Sequence, residues 1–341
     1  MTLIHRLAKV LIKLLKHYGF KIWLTSYYLK NRVIKRLQEL GGNSSVKNEH
    51  ELCKALREDV SKLPPCAYNQ SDADREWARN AARLRNLMLK EDPRRFLRWD
   101  IIQRTMFVGN ADYIAKELEF LEGNMYWHSR YKAAIKENTV GCPEMYCEYR
   151  QSSGNLIHHA YSLSQFEDKA RVTVDHLELV LEFGGGYGSM CRLFHNLGFS
   201  GKYIIFDLPE FSALQRYYLG SLGLNVLKPN KAIAIDSGIS CISDLSRLGE
   251  LIRPTGRNLF LATWSISETS IAFRNEFLKN IPNIDNYLIA YQKVFNEVDN
   301  EAFFDSHAKS KQEFEWHKWE IPHLKGNFYL VGSRVDQIRG S

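Results

Sequence analysis

Residues 178–208 read ELVLEFGGGYGSMCRLFHNLGFSGKYIIFDL, and no other stretch of the chain restricts its fold as strongly. An apolar run suited to a buried strand leads into Gly184, Gly185, Gly186 and Gly188, then a short helical segment and a second apolar run that ends at Asp207. Glycines let the backbone turn sharply between strand and helix, and they let a ligand approach the main chain where any Cβ would collide. The segment is therefore the ligand half-site of an α/β fold.

Two cofactor types use such a turn. A dinucleotide fingerprint wants Gly-x-Gly-x-x-Gly, and with Gly184 and Gly186 as its first two members the third falls on Ser189. The other pattern is an acid, one further residue, then Gly-x-Gly-x-Gly, which Glu182, Gly184, Gly186 and Gly188 satisfy. This second pattern resembles the first motif of class I S-adenosylmethionine-dependent methyltransferases. Asp207 stands at the tip of the next strand, where a carboxylate accepts hydrogen bonds from both hydroxyls of a ribose. A dehydrogenase places an acid there too, so Asp207 points to a ribose without naming its owner.

Beyond residue 176 the pattern alternates. Apolar runs at 177–183, 203–206, 232–235, 259–262 and 287–291 are each followed by polar or helical stretches, as in a parallel sheet covered on both faces. Residues 314–321 and 327–331 flank 322–326 with no room for a crossover helix, which predicts a terminal antiparallel hairpin. The expectation is an α/β, Rossmann-like class I methyltransferase sheet preceded by a helical N-terminal region. Its parts are a basic tail and linker (1–45), a helical substrate or cap region (46–150) and a cofactor-binding domain (151–335). In the helical region Ser71 is placed to cap a helix running to Lys90, Pro93 opens the next, and a third begins near Asn110. Residues 41–45, GGNSS, read as a flexible joint.

Composition adds one asymmetry. The chain of 341 residues carries +7, yet residues 1–40 hold nine Lys or Arg against the single acid Glu39. That segment is +8, so the remainder is about −1. Leu3, Leu7, Val10, Leu11, Leu14 and Leu15 recur at helical spacing, with Arg6, Lys9, Lys13 and Lys16 on another side. This is the pattern of an amphipathic helix lying on an anionic membrane or packing on its own protein or a second copy in a homo-oligomer. Charges interrupt every apolar run, which excludes a transmembrane span, and no secretory signal is evident. The main body has no basic excess, which argues against nucleic acid as a partner. The six cysteines lack a C-x-x-C pair and fit reduced, cytoplasmic thiols.

Ligands of open α/β sheets bind beyond the carboxyl ends of the strands. By that rule Glu182 and the glycine turn face the methionine end of the cofactor, unless Glu182 is a capping carboxylate. Asp207 then meets the ribose and Leu208 the adenine, with Asp236 on the adenine side unless it merely starts a loop. Trp264, Ser265, Ser267 and Tyr187 are the expected acceptor contacts. Methyl transfer to an alcohol needs a base, for which Glu268 and one of the pair His158 and His159 are candidates. No compact carboxylate cluster demands a metal, and none is expected.

The stretches 92–99, 182–188, 206–210 and 262–268, the last three reading EFGGGYG, FDLPE and ATWSISE, resemble a bacterial family of sugar O-methyltransferases. That resemblance implies methyl transfer from S-adenosylmethionine to a sugar or glycan hydroxyl in surface polysaccharide assembly, and the basic tail fits an acceptor carried on a lipid. FDLP also resembles plant phenolic O-methyltransferases. Aligning Trp264 with their tryptophan puts Ser267 where their catalytic histidine stands, so the plant-type base is missing. The competing readings are an NAD(P)-dependent oxidoreductase and a non-catalytic cofactor-binding partner protein.

Overall fold

Five parallel strands form the middle of the molecule because their residues are apolar on both faces, and only a sheet covered twice can bury such runs. They are β1 (Leu179–Phe183), β2 (Lys202–Phe206), β3 (Gly238–Ile242), β4 (Asn258–Thr263) and β5 (Asn286–Gln292). β6 (Phe314–Glu320) and β7 (Asn327–Arg334) complete a seven-stranded sheet of order β3-β2-β1-β4-β5-β7-β6. β7 runs antiparallel to both β5 and β6, which is the hairpin expected from the sequence. In this computed structural model residues 43–64, 72–227, 235–254, 256–281 and 284–335 are described. The basic stretch 1–40, Ser71 and most of the apolar run 232–235 lie outside them.

Alternate residues of each strand enter different layers, as the two-residue period of a strand requires. Val180, Tyr203, Ile205, Leu259 and Leu261 belong to one core, and Leu179, Leu181, Ile204, Phe206 and Phe260 to the other. The helices in chain order are α1 (Asn43–Ser61), α2 (Asp72–Lys90), α3 (Asp100–Thr105), α4 (Ile114–Glu122), α5 (Gly154–Ala170), α6 (Ser189–Asn196), α7 (Pro209–Ser221), α8 (Ile271–Lys279) and α9 (Asn300–Ser310). Residues of α2, α4, α5, α6 and α7 fill the first core, while Phe277 of α8 and Phe304 of α9 fill the second. Local chemistry sets the starts of several helices: Ser153 Oγ accepts from Leu156 N, Asp299 from Ala302 N, and Pro209 occupies the first turn of α7.

Three local expectations need correction. The strand that pairs with β2 is Gly238–Ile242, its register aligning Gly238 with Lys202 and Ile242 with Phe206, and the strand expected at 232–235 falls mostly outside the described residues. Asn43–Ser45 are the first turn of α1, so the joint expected across 41–45 does not extend through them. The helix opened by Pro93 breaks at Trp99, whose extended backbone separates a 3-10 segment (Pro93–Arg98) from α3. Contact clustering divides the chain into units 1–51 and 52–341, and all the sheet and site residues belong to the second. Among the described residues no helix is long and apolar enough to cross a membrane.

Candidate active site

The glycine turn closes β1 against the neighbouring strand ends with no spare room on one side. Gly184 has φ +67, and a Cβ there would lie 2.4 Å from Cβ of Ser265. Ser265 in turn donates its hydroxyl to the carbonyl of Phe183. Ser265 thus pins the turn to the end of β4, and it also lines the cavity. Gly186 is different. It also has positive φ (+57), but a Cβ would meet only Met106, at 3.4 Å, across the cavity wall. The first glycine is needed by the fold, whereas at the second a methyl would only come into ordinary contact with Met106.

Asp207 follows β2 and accepts from Leu208 N (2.8 Å) and from Nε2 of Gln215 (2.8 Å), which also donates to the carbonyl of Gly186. These bonds fix the carboxylate beside the turn. Burial nevertheless pushes its pKa up to about 7, against the lowering effect of the same donors. Glu182, the last polar group of β1, lies beneath the turn. Its Oε2 accepts from the Tyr203 hydroxyl at 2.9 Å, and burial first, with the charge of Asp207 adding, raises it to about 8. Leu208 lines the same cavity.

Asp236 does not belong here. Because β3 starts only at Gly238, Asp236 precedes the strand at the sheet edge opposite the glycine turn, where it is exposed and paired with Arg253 at 3.1 Å. The apolar run 232–235 suggested a strand ending at Asp236, and the strand that pairs with β2, with Ser240 and Cys241, is less conspicuous.

The opposite wall comes from α5, the loop after β4 and the hairpin. His158 is buried, with Nδ1 at 2.9 and 3.0 Å from the two oxygens of Glu117, a fully buried residue of α4. Nε2 of His323, in the hairpin turn, lies 2.8 Å from Oε1 of the same carboxylate. Burial works to raise Glu117, yet the charge and hydrogen bond of His158 together with those of His323 hold it below the ordinary value. Nε2 of His158 has no partner among the described residues, and the ring lines the cavity 4.9 Å from that of Trp264. His159 also lines the cavity, but its Nδ1 is buried without a partner and burial drives its pKa down to about 3.

Trp264 adopts φ +63, a conformation that a bulky residue keeps only when its surroundings impose it. Here Trp264 N donates to Ala290 O (2.6 Å) and the indole Nε1 to Asn327 Oδ1 (2.7 Å), which turns the ring onto His158. Glu268, one turn later, reaches the cavity with Oε1 3.4 Å from Nε2 of Gln292, and burial raises it to about 7. Ser267 is fully buried instead, its hydroxyl held between Trp264 O and Gln292 Oε1, so it cannot meet an acceptor. Tyr187 is largely occupied by the core. It contributes a wall, but its hydroxyl accepts from Asn155 and its ring packs on Phe96 and Tyr218 inside the core.

These groups surround one cavity of about 540 Å³, within the range of small-molecule sites, lined mainly by apolar surface from Met106, Phe107, Trp77, Phe206 and Phe273. Among the described residues no three His, Cys, Asp or Glu side chains are disposed to hold a metal ion. Sequence reasoning missed Glu117, Asn155 and Trp77. Nothing in the local pattern of residues 114–122 separates a buried functional glutamate from a surface one. Asn155 gave a weak signal, lying beside the histidine pair; it accepts from Val108 N and donates to Tyr187 and Ser189, tying three cavity segments together.

No family model matches the chain, and no curated protein matches it. Among solved structures it is similar to a SAM-dependent methyltransferase from Aquifex aeolicus (15% identity, covering 46% of this chain and 82% of that one, TM-score 0.35). It is similar also to an rRNA methylase from Streptococcus thermophilus (14%, 52% and 94%, 0.35). A third is the glycopeptide N-methyltransferase MtfA, solved with S-adenosyl-L-methionine (13%, 50% and 86%, 0.34).

Proposed function

We propose that this chain is an S-adenosylmethionine-dependent O-methyltransferase whose acceptor is a sugar hydroxyl. One observation carries the reading: the glycine turn and the Asp207 carboxylate beside it line the same cavity as His158, whose Nε2 has no partner among the described residues. The residues fit the cofactor. Gly184, Gly185 and Gly186 bring main chain to the cavity wall, Asp207 keeps lone pairs for two hydroxyls, and Leu208 and Phe206 supply apolar surface for a base. When bound, the cofactor supplies a methyl group activated by its sulfonium.

The remaining chemistry belongs to the chain. His158 accepts the hydroxyl proton at Nε2, in the general-base role that is worth about 10² to 10⁴ in rate. Glu268, with its raised affinity for a proton, serves neighbouring hydroxyls as hydrogen-bond partner. The faces of Trp264 and Trp77 suit the apolar side of a pyranose, and Phe107 and Phe273 exclude water. A dinucleotide fits less well, because Ser189 stands where close helix packing wants glycine. On this reading residues 1–40 hold the enzyme to the anionic inner face of a membrane, near a lipid-carried glycan.

Mass spectrometry of surface glycans from cells with and without the gene tests the reading. Loss of one methyl increment supports it, and an unchanged glycan profile contradicts the sugar assignment. Substituting His158→Gln and Glu268→Gln separately assigns the base: transfer should fall at least about 10²-fold in the first and less than about 10-fold in the second.

A further inference from the structure

Glu117, His158 and His323 come from α4, α5 and the hairpin turn, which are 41 and 206 residues distant from Glu117 in the two pairings. A fully buried carboxylate is expensive to keep ionised unless it is matched by donors. Here its two oxygens face two imidazoles and, among the described residues, pair with no lysine or arginine. Aromatic groups enclose the three: Tyr113 stacks on His323 at 5.8 Å and meets the edge of His158 at 5.7 Å, Tyr161 lies 5.2 Å from His323, and Trp264 covers His158. The phenols of Tyr113 and Tyr161 are pushed up to about 12 by burial and by the charge of Glu117, so they stay neutral.

We propose that Glu117 and His323 are positioning residues for His158, and that the hairpin turn is thereby part of the catalytic apparatus. An ionised carboxylate accepts only, so each imidazole must donate to it. That assigns the tautomers: His158 carries its proton on Nδ1, leaving Nε2 an acceptor at the cavity wall, and His323 carries one on Nε2. It also gives the proton a favourable destination. For His158 to act as base its ring must be neutral, and in the form with both rings neutral the enclosed group bears the single negative charge of Glu117. A proton that leaves the acceptor oxygen for Nε2 of His158 makes that group neutral overall, while the electron pair stays on oxygen to bond the methyl carbon as its bond to sulfur breaks. A charge is cancelled inside a poorly polarisable environment rather than created there. The second imidazole occupies Oε1 and keeps the carboxylate ionised and facing His158, so that Glu117 orients the base without taking the proton itself.

The inference rests on the methyl-transfer reading, and its test separates the two. Full-length protein labelled with ¹⁵N at histidine is examined by long-range ¹H–¹⁵N correlation with S-adenosylmethionine present, the peaks being assigned by loss in His158→Gln and His323→Gln. The wild type should show His158 as the Nδ1–H form and His323 as the Nε2–H form. In Glu117→Gln the preference of His158 for Nδ1–H should fall by about 10-fold or more, kcat by about 10²-fold and KM by less than about threefold, with cofactor affinity unchanged. His323→Ala, which removes the donor to Oε1, should weaken the Nδ1–H preference of His158 and lower kcat, and His323→Gln, whose amide can still donate there, should recover most of both. Wild-type His158 in the Nε2–H form with cofactor bound overturns this proposal alone, as does a Glu117→Gln spectrum identical to wild type. Failure of the wild type to bind the cofactor overturns the reading beneath it.

Discussion

Gly186→Ala separates ligand binding from folding more cleanly than any other change in the turn. Its φ of +57 places an alanine in the left-handed region, which costs roughly 1 to 2 kcal/mol. Steric overlap adds little, since the nearest atom to the new methyl is Cβ of Met106 at 3.4 Å. Gly184→Ala carries the same backbone penalty and in addition forces a methyl to 2.4 Å from Cβ of Ser265, beside strand ends that cannot retreat. It should lose about 3 kcal/mol or more. The two variants therefore diverge: urea unfolding should find Gly186→Ala folded and modestly weakened, and Gly184→Ala severely so. Ligand stabilisation gives the second measurement. S-adenosylhomocysteine at about 100 times its Kd should stabilise the wild type by about 2.7 kcal/mol. Gly186→Ala should lose most of that gain, because its methyl presses on Met106 at the cavity wall and strains the turn the ligand must meet. Full ligand stabilisation in Gly186→Ala would refute the reasoning, since the cofactor would then not be cradled by this turn.

Further outcomes follow from the buried charges. Glu182 has a carboxyl raised from 4.5 to about 8, so the folded chain binds more protons than the unfolded chain between those values, and its contribution to stability falls as pH rises through that window. Glu182→Gln should flatten the slope in urea midpoints measured from pH 5 to pH 8. Asp207, raised to about 7, must be ionised to accept from a ribose, so cofactor affinity measured by calorimetry should increase as pH rises through about 7 and lose that dependence in Asp207→Asn. Arg274 is fully buried and donates to Thr269 O (2.9 Å), Ser267 O and Asn300 Oδ1 (2.6 Å). Arg274→Met leaves those acceptors unpaired beneath the loop that carries Glu268, and should lower unfolding stability by about 2 to 4 kcal/mol in urea titrations.

The sheet was legible in the sequence where strands are uniformly apolar and the turn between them needs glycine. Residues 179–206 show this best: buried strands, a positive-φ turn and a terminal acid leave one arrangement for the chain to adopt. The strand that pairs with β2 was missed because Ala232–Ile235 is a stronger apolar run than Gly238–Ile242, whose Ser240 and Cys241 are small enough to pass for a loop. Placement of Asp236 followed that error. Position after a strand does not separate Ser265, which lines the cavity, from Ser267, which is fully buried, because short hydroxyls near strand ends bond local carbonyls either way. The Glu117 group was invisible for another reason. Its members lie on separate elements, and only the packing of α4 on α5 with the hairpin turn over both brings one carboxylate between two imidazoles.

The central claim is that the bend after β1 binds a sulfonium nucleoside, and calorimetric titration of the full-length protein with S-adenosylmethionine and, separately, with NADH tests it most directly. S-adenosylmethionine should bind with one-to-one stoichiometry and NADH should produce no heat of binding. Binding of NADH alone, or of neither, would contradict the account.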